Sequence, residues 1–340
     1  MTQQVSIGGL VTGIGSWPGT DARESAATIL GELGGFPHLV ELPGRGLGAD
    51  MVGRAGAILV DINLDASTRA YRVVPRRGNV AKRAEDFLNQ DLDALEEAWE
   101  SARLVGGDHV VKLHAAGPLT LGAEIEVVNG SRVLVDRGAL RDIAESLGEG
   151  LARHAAEVTR RTGAKVVIQL DEPQIAAVLA GSLPGRTKME SVPALPEPEA
   201  LAVLDSTISG CGLPTIVHSC AADMPWDLLR RSQAFGVSLD MSLVGSRDLD
   251  GIGQLFDAGK ELALGLVPSA PPEKPVTWKE CAMPAVTLID RLGFSRELLQ
   301  TQVAVTPSCG LAGASLEWSR AALRLCTDVG KALVDDPSAF

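Results

Sequence analysis

Eight short apolar runs, separated by longer stretches of helical periodicity, limit what this chain can fold into. The runs are LVTGIGS (10–16), HLVEL (38–42), HVVKLHA (109–115), AKVVIQLDE (164–172), PTIVHS (214–219), GVSLDM (236–241), ELALGLV (261–267) and TQVAVTP (301–307). Most are nearly continuous in apolar residues, as parallel strands covered on both faces are. Between them, DARESAATILGEL has Asp21 three residues before Glu24, a capping-box spacing. RGALRDIAESLGEGLARHAAEVTRRTG is amphipathic, basic in its last turn and closed by Gly163. DMPWDLLRRSQAFG reads as a helix with Pro225 near its start and Gly236 just past its end. The Pro- and Glu-rich segment 182–200 reads as an irregular loop.

Strand followed by helix, eight times over, predicts a (β/α)8 barrel with loop insertions, and residues 1–340 as one domain. An open doubly wound sheet is the competing arrangement. The net charge of −12 speaks against a nucleic-acid partner, whose phosphates call for a basic face. It gives no reason to bind anionic membranes either. No apolar stretch approaches the roughly 20 residues of a bilayer span, and the opening MTQQVSIGGLVTG has no signal-peptide pattern. Five dispersed cysteines, an odd number, suit reduced thiols in the cytoplasm better than a disulfide framework.

A barrel of this kind carries its active site at the C-terminal ends of its strands, and chemically capable residues gather there. His218 and Cys220, two apart at the end of the fifth run, leave an extended segment on the same side. Asp240 ends the sixth run, and Cys309 follows the eighth between Pro307 and Gly310. One nitrogen, two sulfurs and a carboxylate favour zinc over magnesium or calcium. The bland alternative is a set of core thiols beside a hydrogen-bonded histidine. Cys211, Cys281 and Cys326 fall in helical segments and read as packing residues.

The strand ends also resemble the C-terminal catalytic barrel of cobalamin-independent methionine synthases. The resemblance rests on Ile14-Gly15-Ser16-Trp17-Pro18, Ala116-Gly117-Pro118, Gln169-Leu170-Asp171-Glu172-Pro173, His218-Ser219-Cys220 and Pro307-Ser308-Cys309-Gly310-Leu311, in that order. It implies a Zn2+ site of His218, Cys220 and Cys309, with Asp240 in place of a glutamate as fourth ligand. It further implies a thiol substrate, homocysteine, methylated from a folate or a methylated corrinoid protein. Asp171 would hold the substrate ammonium, with Glu41 a second contact; Ile14, Gly15 and Ser16 would take its carboxylate. Ser16 has a competing role as a helix cap, and His114 is either a pocket residue or a structural one. Transfer to another thiol such as coenzyme M, or a non-catalytic binding barrel, are the alternatives.

Three departures from the family bear on the methyl donor. The chain opens almost at the first strand, without the N-terminal half that helps bind polyglutamyl folate in the long enzymes. The seventh run continues as LGLVPSAPPEKP, lacking the family's proton-transfer histidine, and AGAS follows Leu311 where a basic residue is expected.

Overall fold

The computed structural model describes residues 5–68, 70–185, 190–338 and 340. Three short strands come from segments the sequence does not announce: β1 (Asn63–Ala66), β2 (Tyr71–Val74) and, further along, β4 (Ile125–Glu126). β1 and β2 form an antiparallel hairpin, and β4 joins β2 in parallel. The main sheet consists of β3 (Val110–Ala116), β5 (Lys165–Asp171), β6 (Thr215–Ser219), β7 (Gly236–Asp240), β8 (Glu261–Val267) and β9 (Val303–Pro307). Its six strands lie in that order and all neighbours are parallel. Each falls on one of the expected runs.

The first two runs are not regular strands. Isolated parallel bridges join Val11 to Val305, Ser16 to Glu41 and His38 to Lys112. The hydrogen bonds Thr12 N to Val305 O (3.1 Å), Glu41 N to Gly15 O (3.2 Å) and Leu39 N to Lys112 O (3.0 Å) accompany them. The local reason is chemical. Gly15, at φ 154°, is in a conformation that side chains rarely adopt, and a Cβ there would sit 2.4 Å from Nε2 of His114. Backbone that bends to admit an imidazole does not keep a ladder.

Helices connect the strands as expected in kind, with one correction in extent. Asp21 caps Ala22–Glu32 by accepting from the amides of Arg23 and Glu24, which leaves Ser16 no part in that cap. Arg137–Thr162 ends at Gly163 with φ 75°. The helix after Pro225 covers Trp226–Arg231 alone, and Gly236 opens β7 rather than closing that helix. Space decides this, because a Cβ at Gly236 would come within 2.7 Å of the Glu261 carbonyl on β8. Segment 182–200 is irregular up to the helix Glu197–Cys211; its residues 186–189 lie outside those described. Cys211, Cys281 and Cys326 are buried within helices, as expected of packing residues. Among the described residues no helix is long and apolar enough to cross a membrane.

Alternation along the strands sorts the enclosed side chains into layers. Ile7, Phe36, Val167, Ile216, Ala263 and Ala304 form a separate apolar cluster. Two residues further along the strands the side chains turn polar: Gln169, His218 and Thr306, all buried. Another two along come Asp171, Cys220 and Ser308. An apolar floor under a polar layer is the arrangement that keeps a site dry beneath and reactive above.

Candidate metal centre

Five strands, β3, β5, β6, β7 and β9, build the polar layer. On β3, Lys112 is fully buried, and its ammonium donates to the Gly13 carbonyl, to the Ile14 carbonyl at 3.1 Å and to Oε1 of Gln169. Gln169 on β5 donates in turn to the Ile14 carbonyl (2.9 Å) and to Oδ1 of Asp171 (2.7 Å). These bonds pin the irregular segment 13–16 to two regular strands. Burial pushes the Lys112 ammonium down to about 7, with Asp171 opposing.

His218 stands on β6 beside Ser238 of β7, in register with it. Its Nδ1 lies 2.9 Å from the Ser238 hydroxyl, which leaves Nε2 aimed at the Cys220 sulfur, 3.1 Å away. Cys220 also donates to the Ser308 carbonyl at 3.4 Å, so the loop after β9 closes over it. One ligand atom from each of His218, Cys220 and Cys309 lies within 4.8 Å of the others. A hydrogen bond from Cys220 and another from His218 hold the Cys309 thiol far below the usual range. The same sulfur contact, with burial, pushes Cys220 up. The two sulfurs thus favour one thiolate between them.

This donor set fits zinc. Ligand atoms at about 2.0 Å (N) and about 2.3 Å (S) from a tetrahedral ion stand about 3.5 Å apart, within the 4.8 Å that bounds the three ligand atoms here. The Ser238 hydroxyl orients the imidazole from behind, as outer partners of metal-bound histidines do. Asp240 is not brought into the group. Its Oδ1 accepts from the Ser242 amide (2.8 Å) and hydroxyl (2.7 Å), capping the turn Met241–Leu243.

Two carboxyls stand near the site, close enough for His218, His114 and Glu41 to act on Asp171. Asp171 and Glu41 are both buried. Burial raises the Asp171 carboxyl, with His218 and His114 opposing, and raises Glu41 to about 7. Next to Asp171, Glu172 accepts from the Leu119 amide (2.9 Å) and from the Thr120 amide and hydroxyl (2.7 and 2.6 Å), holding the turn after β3. Ser16 meets the loop after β9, since its carbonyl accepts from the Leu311 amide at 2.9 Å. Gly310 allows this approach; a Cβ there would stand 2.1 Å from the Ser16 hydroxyl. The Ile14 carbonyl accepts from Lys112 and Gln169, which fixes the backbone leading into Gly15 and Ser16. In place of a histidine after β8, Ser269 donates its amide to the Ser308 hydroxyl at 3.1 Å.

The sequence reading missed Lys112, Ser238 and Ser308. Lys112 had a signal: in VVKLHAA it stands two residues before His114, so both leave the strand on one side. Ser238 and Ser308 carry no comparable mark, since an isolated serine in a strand is ordinary.

The chain matches the family described as the cobalamin-independent synthase, catalytic domain, over residues 10–332. Among solved structures, its fold is similar to that of a B12-independent methionine synthase from Shewanella sp. W3-18-1 in complex with selenomethionine. That match has 14% identity and a TM-score of 0.64, and covers 99% of this chain and 100% of that one. A GH113 beta-mannanase from Alicyclobacillus acidocaldarius aligns over 98% of each chain at 10% identity, with a TM-score of 0.42. No curated protein matches the chain.

Proposed function

Because this chain belongs to the cobalamin-independent synthase catalytic-domain family, we propose that it transfers a methyl group to the thiol of homocysteine, forming methionine, with zinc. The observation that carries the reading is the convergence of His218, Cys220 and Cys309 from two distant strand ends within 4.8 Å. These three residues would hold the ion, leaving a fourth position for the substrate, as catalytic zinc sites do. When bound, the ion supplies Lewis acidity that keeps an alkyl thiol, normally protonated near neutral pH, as the nucleophilic thiolate.

The chain's own residues do the rest. Ser238 fixes the His218 ring through Nδ1. Asp171 and Glu41 face the substrate's ammonium; Ser16, with the Gly15 backbone, faces its carboxylate. Both carboxyls are buried, so water competes little for the charged head group. Orienting that group sets the thiol in line with the incoming methyl carbon, which is how positioning lowers such a barrier. The proposal includes ring closure of the fold: the bridges at Val11, Ser16 and His38 complete the six-stranded sheet to a (β/α)8 barrel across residues 10–332. It also includes a cytoplasmic setting, which the free state of all five cysteines suits.

The test is turnover. Zinc-loaded protein with homocysteine is offered methyltetrahydrofolate or a methylated corrinoid protein, and methionine is measured. Methionine from either donor supports the reading and identifies the donor. Methylation of coenzyme M but not homocysteine overturns the choice of thiol, and no transfer to any thiol overturns the activity.

A further inference from the structure

His114 is left unexplained by the account so far. It lies on β3 at 4% exposure, and among the described residues neither ring nitrogen has a hydrogen-bond partner. Leaving a buried polar atom without a partner is costly, so such a group in a folded protein calls for an explanation. Its Nε2 is 3.5 Å from Oε2 of Glu41, too far for a good hydrogen bond. The ring packs against the backbone of Gly15, whose missing side chain makes the room. His38 meets it edge to face, with centroids 6.1 Å apart.

We propose that His114 is a recognition residue for the substrate's α-amino group, accepting one ammonium proton where Glu41 and Asp171 receive the others. This rests on the thiol reading above and names the feature by which the site selects an amino-acid thiol. Burial holds the imidazole down to about 3, so it is neutral and offers one N–H and one lone pair. The lone pair accepts from an ammonium. The N–H could serve a carboxylate, but Glu41, 3.5 Å from Nε2, and nearby Asp171 disfavour an anion beside the ring. The nearby cations are already engaged: Lys112 by Gly13, Ile14 and Gln169, and Arg54 by Asp91.

The experiment compares L-homocysteine with 4-sulfanylbutanoate, the same thiol without the amino group. Binding to zinc-loaded wild type, His114→Leu and His114→Gln is measured by calorimetry, with thermal unfolding and zinc content as controls. Wild type prefers homocysteine. His114→Leu loses about tenfold or more of homocysteine affinity, the scale of one hydrogen bond to a charged group, and leaves the analogue unchanged. His114→Gln, which keeps an acceptor, recovers part of the loss and carries the test if the leucine variant does not fold. Equal loss for both ligands, or no loss for either, overturns the inference. Wild type that binds neither thiol overturns the thiol reading itself, a distinguishable result.

Discussion

Replacing Lys112 by Met tests the polar layer on which the site stands. The ammonium is fully buried and meets three oxygens but no carboxylate at bonding distance. Burial lowers it from 10.5 to about 7, which corresponds to about 5 kcal/mol against the charged form. Between pH 7 and 10.5 the unfolded chain keeps this proton while the folded chain releases it. The unfolded state binds more protons there, so wild-type stability rises with pH, by at most about 1.4 kcal/mol per pH unit. Lys112→Met lacks the titrating group and loses that slope. At pH 7 the variant loses the donor to Oε1 of Gln169 but also sheds the cost of the buried ammonium, so the two effects oppose. Between pH 7.5 and 9.5 the stability of wild type relative to the variant rises by about 2–3 kcal/mol. Urea unfolding of both proteins across that range measures it, and the difference cancels every other group that titrates there. A gap independent of pH would refute the reasoning, since it would mean that folding leaves the Lys112 proton undisturbed.

Two further outcomes follow from buried charge. Asp91 is fully buried between Arg45 (2.8 Å) and Arg54, and ties the turn after Glu41 to the helix Asn79–Ser101. Asp91→Asn strands two buried guanidinium groups and lowers unfolding free energy by about 3–5 kcal/mol in urea; a loss under about 1 kcal/mol would contradict this. Burial raises Glu41 from 4.5 to about 7, so it is neutral below that pH and ionised above. Homocysteine affinity therefore falls as pH drops from 8 to 6 in wild type, and the fall is smaller in Glu41→Gln, as titration calorimetry at each pH would show.

How much of this was legible in the sequence depends on what kind of residue carries each feature. The six strands of the main sheet were, because a strand buried on both faces must be apolar throughout, and helices on either side mark its ends. The first two runs were placed but not their irregularity, which arises from His114 crossing into space that Gly15 vacates, a contact between distant segments. The hairpin β1–β2 escaped notice because NLDA and YRVV are short and largely polar, and β4 because two residues carry no period. The helix after Pro225 was read too long; Gly236 looks like a helix stop, yet it is required by the closeness of β8. At the site, His218, Cys220 and Cys309 were picked out by chemistry and strand-end position together with the family resemblance, and the fold brings them within 4.8 Å of one another. Asp240 stands at the expected strand end and its charge acts on Cys220, but its Oδ1 caps its own turn, a contact that strand-end position does not foretell. The Lys112 network shows another limit, because backbone carbonyls of segment 13–14 supply most of its partners and have no signature in the side chains.

The central claim is that residues from β6 and from the loop after β9 share one ion. The most direct measurement is the metal content of protein purified without chelator, for wild type beside Cys220→Ser and Cys309→Ser. The account predicts about one zinc per chain in wild type, lost in both variants while their thermal unfolding stays cooperative. Wild type that holds no zinc and takes up none on reconstitution would contradict it.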